Sequence, residues 1–269
     1  MTESGWTPSR ATALLLEREL FGMSFQLGRI KLLLEELGNP QESFRSIHIV
    51  GTNGKTSTCR FAAAALDAGG LNVGAYISPH LTGFHERVLL STREGVEEVT
   101  PEEFAQAVGR VAEAAERVEP QLDSSEVITQ FELVTTAAFV LFQQAGVEIA
   151  VIEAGLGGRW DATNVLPSPK TVVFTSVGLD HTRWLGEDTL SIAREKLAVV
   201  GQGDLLVVPT TLEPVIATEA KSVADLAEAD LLTVGADGFP GLELQATGPF
   251  QLENFALAVT AARSITPEL

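Results

Sequence analysis

Apolar residues recur at helical spacing over residues 8–21 (PSRATALLLERELF) and again over 27–37, where Gly38-Asn39-Pro40 ends the pattern. From there the period alternates. Short β-branched runs predict strands at 47–50, 73–77, 147–152, 172–177 and, more weakly, 205–209. Between them, helical periods cover 55–68, closed by Gly69-Gly70, then 101–118 and 131–144. Glu102 and Glu103 fall in the first turn of the 101–118 helix, where the helix dipole favours acids. A helix also runs through SIAREKLAVV, and a last one covers 254–264. The polar stretch 86–101 reads as a loop or an edge hairpin. Strands alternating with helices predict an α/β fold, a mostly parallel sheet with helices on both faces. Such strands are buried on both sides, which suits the unbroken apolar runs IAVI and VVF. Ligands of an open α/β sheet bind beyond the carboxyl ends of its strands, so the residues that follow each strand carry the chemistry.

After the first strand comes Gly51-Thr52-Asn53-Gly54-Lys55-Thr56-Ser57. Glycines let the backbone curl so that successive N–H groups face one point. A helix begins there with unpaired N–H groups and a partial positive charge. Lys55 adds a full charge, and Thr56 or Ser57 can reach a bound cation. The segment reads as a phosphate loop, although Gly51 and Gly54 stand closer together than the glycines of the common phosphate-loop pattern. After the second strand, Ser78-Pro79-His80 is either a plain turn or part of a site. After the third, Glu153 opens EAGLGGRWDATN. A carboxylate opposite a phosphate loop is the usual place for a magnesium-linked acid, and the alternative is a solvated acid before a glycine-rich loop. In that loop, Gly155, Gly157 and Gly158 leave room for a ligand or another segment, and Arg159 and Asp161 follow. After the fourth strand comes Asp180-His181. Magnesium prefers oxygen to imidazole, which counts against His181 as a ligand, while its place at a strand end counts for it. Lys196, by its local sequence, is a solvated lysine on a charged helix face. His48 lies inside a strand and Cys59 inside a helix, and no nucleophile–base–acid triad is evident. Phosphoryl transfer needs none, because it runs on positioning and charge neutralisation.

Composition narrows the partners. The 269 residues carry 36 acidic and 18 basic side chains, a formal charge of −18. That balance argues against nucleic acid or an anionic membrane, and it requires any anionic ligand to be held by a local basic cluster. One cysteine excludes an internal disulfide and suits a reducing cytoplasm. The expectation is a cytoplasmic protein with no signal peptide and no membrane span, since no apolar run nears the roughly 18 residues a span needs.

The segments LGNPQ, IHIVGTNGKTS, ISPHLTGFHERV, TQFELVTTAAF, VIEAGLGGRWDATN, VGLDHTRWLGEDTLSIAREK and GPFQLEN occur in that order. Together they resemble the folylpolyglutamate synthase and dihydrofolate synthase family, within the ATP-dependent Mur-type amide ligases. Gly51–Ser57 matches the family's short phosphate loop, Gly-Thr-Asn-Gly-Lys. The resemblance implies that ATP phosphorylates a carboxylate of dihydropteroate or a folate, and that the amine of L-glutamate attacks the acyl phosphate. It implies ATP held by Gly51, Thr52, Asn53, Gly54, Lys55, Thr56, Ser57 and Asn254. Magnesium would be held through Ser78, Glu153 and His181, and a second magnesium through Lys196 as its carbamate. Lys55, Glu153, His181 and Lys196 would be the catalytic set. Phe131, Arg87 and Thr129 would meet the folate. The sequence departs from the family at Leu197-Ala198-Val199 after the lysine and at Phe250-Gln251 before the asparagine. The family also continues into a second α/β domain, so residues 1–269 are expected to form the ATP-binding domain alone, impaired in turnover, with an exposed apolar face. The alternatives are another Mur-type ligase, for a cell-wall precursor or cyanophycin, and a nucleotide-binding remnant that acts as a non-catalytic module. TQFEL and ISPHL favour folate over the former; retention of Lys55, Glu153, His181 and Lys196 speaks against the latter.

Overall fold

The computed structural model describes residues 5–19, 26–123, 126–239 and 241–268. Helices α1 (Pro8–Glu19) and α2 (Gly28–Glu36) come first; residues 20 and 21 of the expected first helix lie outside the described residues. Then follow β1 (Arg45–Val50), α3 (Lys55–Ala68), β2 (Val73–Tyr76), β3 (Val88–Ser91), β4 (Val96–Glu98) and α4 (Pro101–Val118). The chain continues through α5 (Gln130–Gln144), β5 (Ile149–Glu153), β6 (Thr171–Phe174), α6 (Thr182–Leu185) and α7 (Thr189–Leu197). It closes with β7 (Leu205–Pro209), α8 (Pro214–Leu226), β8 (Asp230–Val234) and α9 (Phe250–Ile265).

The strands form one sheet in the order β4-β3-β2-β5-β1-β6-β7-β8. From β2 to β8 every pairing is parallel; β3 and β4 are antiparallel and form the edge hairpin that 86–101 allowed. Helices cover both faces. On one, Ile47, Ile49, Ala75, Val151 and Val173 pack against Ala62 and Leu66 of α3 and Leu257 and Ala261 of α9. On the other, Tyr76, Ala150 and Ile152 meet α4 and α5, whose far side carries α1 and α2. Farther along that face, Val50, Val172, Phe174 and Leu206 meet Leu197 of α7 and Ala220 of α8. Burying apolar area on both faces of the central strands is the main stabilising term.

Helix starts follow local chemistry. Thr100 caps α4 and Thr129 caps α5, each through a hydroxyl that accepts the N–H of a glutamate three residues on, with that glutamate bonding back. Three of these elements escaped the sequence reading, α6, α8 and β8. β8 lies at the sheet edge with most of its residues open to solvent, so it shows no buried apolar run.

Candidate functional site

Parallel register brings the ends of β1, β2, β5 and β6 together: Ile49 pairs with Glu153, Val50 with Phe174 and Tyr76 with Ile152. The loop Gly51–Ser57 therefore rises beside Glu153 and the chain beyond Phe174. It is tied to that chain by a set of hydrogen bonds. Thr52 N–H donates to Ser176 O (2.9 Å) and Asn53 N–H to Ser176 Oγ (3.0 Å). Gly178 N–H donates to Thr52 Oγ1 (3.1 Å) and Thr175 Oγ1 to Asn53 O (2.7 Å). Gly54 turns into α3 at φ 86°, and a Cβ there would stand 2.3 Å from Asn254 Oδ1. Only glycine takes that backbone cheaply and admits the asparagine. Asn254, in the first turns of α9, is thereby set at the loop's edge, with its Nδ2 donating to Gln251 Oε1 (3.1 Å).

Glu153 is 1% exposed, so the solvated-acid reading fails. Its oxygens accept the Thr56 hydroxyl at 3.0 and 2.9 Å and the Ser78 N–H at 3.1 Å. Burial pushes its pKa up to about 7, against the Ser78 N–H, Lys55 and Thr56, which pull it down. Thr56 is thus the hydroxyl that meets the acid. Lys55 Nζ donates back to Thr52 O (3.2 Å).

Lys196 corrects its local reading. It is 2% exposed, not solvated, and its Nζ donates to Gly51 O at 2.8 Å. Burial first, and the charge of Lys55 second, lower its pKa to about 8. The glycine-rich loop lies directly on α7 beside it: a Cβ on Gly158 would stand 2.6 Å from Lys196 O. Arg159 reinforces the contact through Glu195, with Nε to Oε1 at 3.0 Å. His181 opens α6 at φ 47°; its Nε2 lies 3.5 Å from Asp180 Oδ1 and its side chain is half exposed.

Several of these groups line one cavity of about 420 Å³, while Glu153, Thr56 and Asn254 do not reach its wall. Lys55, Ser78, Asp180, His181 and Lys196 form one part of its wall, and Arg87, Thr129 and Phe131 another. Arg87 is buried, donates through Nε to His80 Nδ1 (2.9 Å) and stacks 5.4 Å from the Phe84 ring centroid. The Thr129 hydroxyl donates to Glu132 (2.8 Å) within its helix cap. Glu86 shapes the loop after Ser78 by accepting the N–H groups of Leu81, Thr82 and Gly83 at 2.9, 2.8 and 2.7 Å.

Among the described residues no three His, Cys, Asp or Glu side chains cluster as a metal site. The donors present still fit magnesium, which commonly takes one or two carboxylates and completes its shell with water and phosphate. Glu153 is a buried acid with hydroxyl and N–H neighbours and, among the described residues, no ion pair, a place that favours a hard cation. The sequence reading missed Thr163, Trp160, Glu86 and the loop anchors Thr175 and Ser176. Only the Asp-Ala-Thr spacing at 161–163, which suits a side-chain-to-backbone turn, offered a signal.

No family model matches the chain. It is 35% identical over 256 residues to folylpolyglutamate synthase of Lacticaseibacillus casei, covering 87% of this chain and 58% of that protein. It is 34% identical over 219 residues to the dihydrofolate synthase/folylpolyglutamate synthase of Mycobacterium tuberculosis (strain ATCC 25618 / H37Rv), covering 76% and 44%. An FPGS–AMPPCP–folate complex superposes with a TM-score of 0.85 at 30% identity, over 97% of this chain and 68% of that one. The chain thus spans about half the length of the curated relatives it matches. By sequence identity and by overall fold, this chain belongs to the folylpolyglutamate synthase and dihydrofolate synthase family.

Proposed function

We propose that this chain carries the ATP site and the folate-type substrate cavity of a ligase that joins L-glutamate to the carboxylate of dihydropteroate or a folate. The observation that carries the reading is the meeting of Thr56, Ser78 N–H and Glu153 beside Lys55, which lines a cavity that also holds Arg87 and Phe131. The N–H groups of Gly51–Ser57 and the Lys55 ammonium hold the nucleotide phosphates, and Asn254 borders the nucleotide at Gly54. Glu153, Ser78 and His181 would hold magnesium, with a second ion through Lys196. Magnesium, when bound, offsets the charge on the phosphoryl group being transferred. Lys196 has the chemistry for a carbamate: with its pKa near 8, part of it is the neutral amine that adds carbon dioxide. Phe131, Arg87 and Thr129 form the wall for the substrate, whose carboxylate points toward the phosphate loop. Complete glutamate addition belongs to the full-length ligase, in a cytoplasmic setting that suits the buried thiol of Cys59. For the membrane, the structure supplies a plainer fact: among the described residues no helix is long and apolar enough to cross one.

Isothermal titration of ATP, with and without magnesium, tests the reading on this chain and on Lys55→Ala. Magnesium-dependent binding lost in the variant is the expected result. Equal binding by both proteins would sink the phosphate-loop assignment.

A further inference from the structure

β1 ends in the phosphate loop, and its residues alternate between the two faces of the sheet. Ile47 and Ile49 enter the layer under α3 and α9. His48 points the other way and is fully buried. Its Nε2 lies 2.8 Å from Thr163 Oγ1, and the Thr163 hydroxyl lies 2.6 Å from Asp161 Oδ1. Asp161 is also buried, and its two oxygens are otherwise occupied as acceptors: Oδ1 takes the Thr163 N–H at 3.0 Å and Oδ2 the Leu156 N–H at 2.7 Å. A carboxylate can only accept, so the Thr163 hydroxyl donates to it. That hydroxyl oxygen then accepts a hydrogen bond from His48 Nε2–H, which fixes the imidazole as the Nε2–H tautomer. Nδ1 is left without a partner among the described residues. A buried polar atom without a partner is costly, so the position is held for what Nε2 does.

Asp161 is the hub of the loop that follows Glu153. By taking the Leu156 and Thr163 N–H groups it folds residues 156–163 around one carboxylate. Leu156, Gly157, Gly158, Trp160 and Asp161 of this loop line the cavity. We propose that His48 is a positioning residue for the substrate: through Thr163 it locks Asp161, and so it sets the cavity wall in register with the phosphate loop three residues further along the same strand. One rigid strand then places both halves of the site, the nucleotide by its end and the substrate wall by a side chain. The proposal rests on the reading of the cavity as a folate-type site.

The test uses His48→Leu, His48→Gln and Thr163→Val in this chain, with pteroic acid and magnesium ATP titrated separately and thermal midpoints recorded. Glutamine can present an N–H where Nε2 stands; leucine cannot. In His48→Leu and Thr163→Val, pteroic acid affinity is expected to fall about tenfold while ATP affinity stays within twofold, and His48→Gln restores pteroic acid to within about threefold of the parent. The imidazole should give the nitrogen NMR signature of the Nε2–H tautomer. The proposal is overturned if pteroic acid affinity is unchanged in Thr163→Val, or if both ligands weaken together in step with the thermal midpoint. If His48→Leu does not fold, the near-isosteric Thr163→Val decides alone. If the parent chain binds magnesium ATP but no pteroic acid, the substrate reading itself fails and the proposal with it.

Discussion

At the scale of single residues, His48 makes stability depend on pH. Burial, and to a lesser degree the charge of Lys170, lower its pKa from 6.5 to about 3. Folded chains therefore keep it neutral where unfolded chains protonate it. The unfolded state binds the extra proton below about pH 6.5, so stability is full above that pH and falls as the solution is acidified toward pH 3. The slope from this one group is on the order of 1.4 kcal/mol per pH unit. Urea midpoints between pH 7 and 5 should fall more steeply for the parent than for His48→Gln; parallel curves would remove the histidine from the account. Gly54 gives a second test. At φ 86°, with Asn254 Oδ1 where a Cβ would go, Gly54→Ala combines strain with a clash. It should cost roughly 1–3 kcal/mol in denaturant titrations and weaken ATP binding. That glycine's meaning was legible, because a Gly-Lys-Thr after a β-branched run has few other uses. Lys196 was not legible: its neighbours Arg194 and Glu195 read as a solvated face, while in the fold it is buried and its Nζ meets Gly51 O, far away in sequence.

Between elements, the joint of β6 and β7 is held by charge as well as by the ladder. Lys170 Nζ lies 3.0 Å from Asp204 Oδ2, both side chains almost fully buried, and Asp204 also accepts the N–H groups of Lys170 (2.9 Å) and Gly201 (2.8 Å). Removing one partner leaves a buried charge alone, so Asp204→Ala should lose about 3–5 kcal/mol, read from chemical denaturation. The central elements were visible in the sequence because each is buried on two faces: β1 carries a short β-branched run, and β5 and β6 carry the unbroken apolar runs IAVI and VVF. β8 and α8 were not, for the opposite reason. β8 pairs on one side only and α8 buries a narrow stripe of Ile216, Ala220 and Ala224, so their signal is diluted by solvent-facing residues.

For the whole molecule, some of the exposed apolar side chains lie on segments that leave the carboxyl end of the sheet. Leu81, Leu179 and Phe250 are more than half exposed, and Trp184 is 44% exposed. Apolar surface of this kind favours contact with other protein. Light scattering across a concentration series should show the mean mass rising, and Leu179→Ser with Phe250→Ser should suppress the rise; a concentration-independent monomer would count against this surface as adhesive. The cationic groups have a consequence of their own. Lys55 and Lys196 stand inside a molecule of net charge −18, so an incoming nucleotide crosses a repelling outer field before it meets an attracting inner one. Salt damps the outer field first, because screening grows with distance over a length of about 10 Å at 0.1 M. Capture of ATP should therefore speed up as salt is raised from low concentration, the reverse of ordinary electrostatic steering, and stopped-flow mixing would show it as a rising association rate.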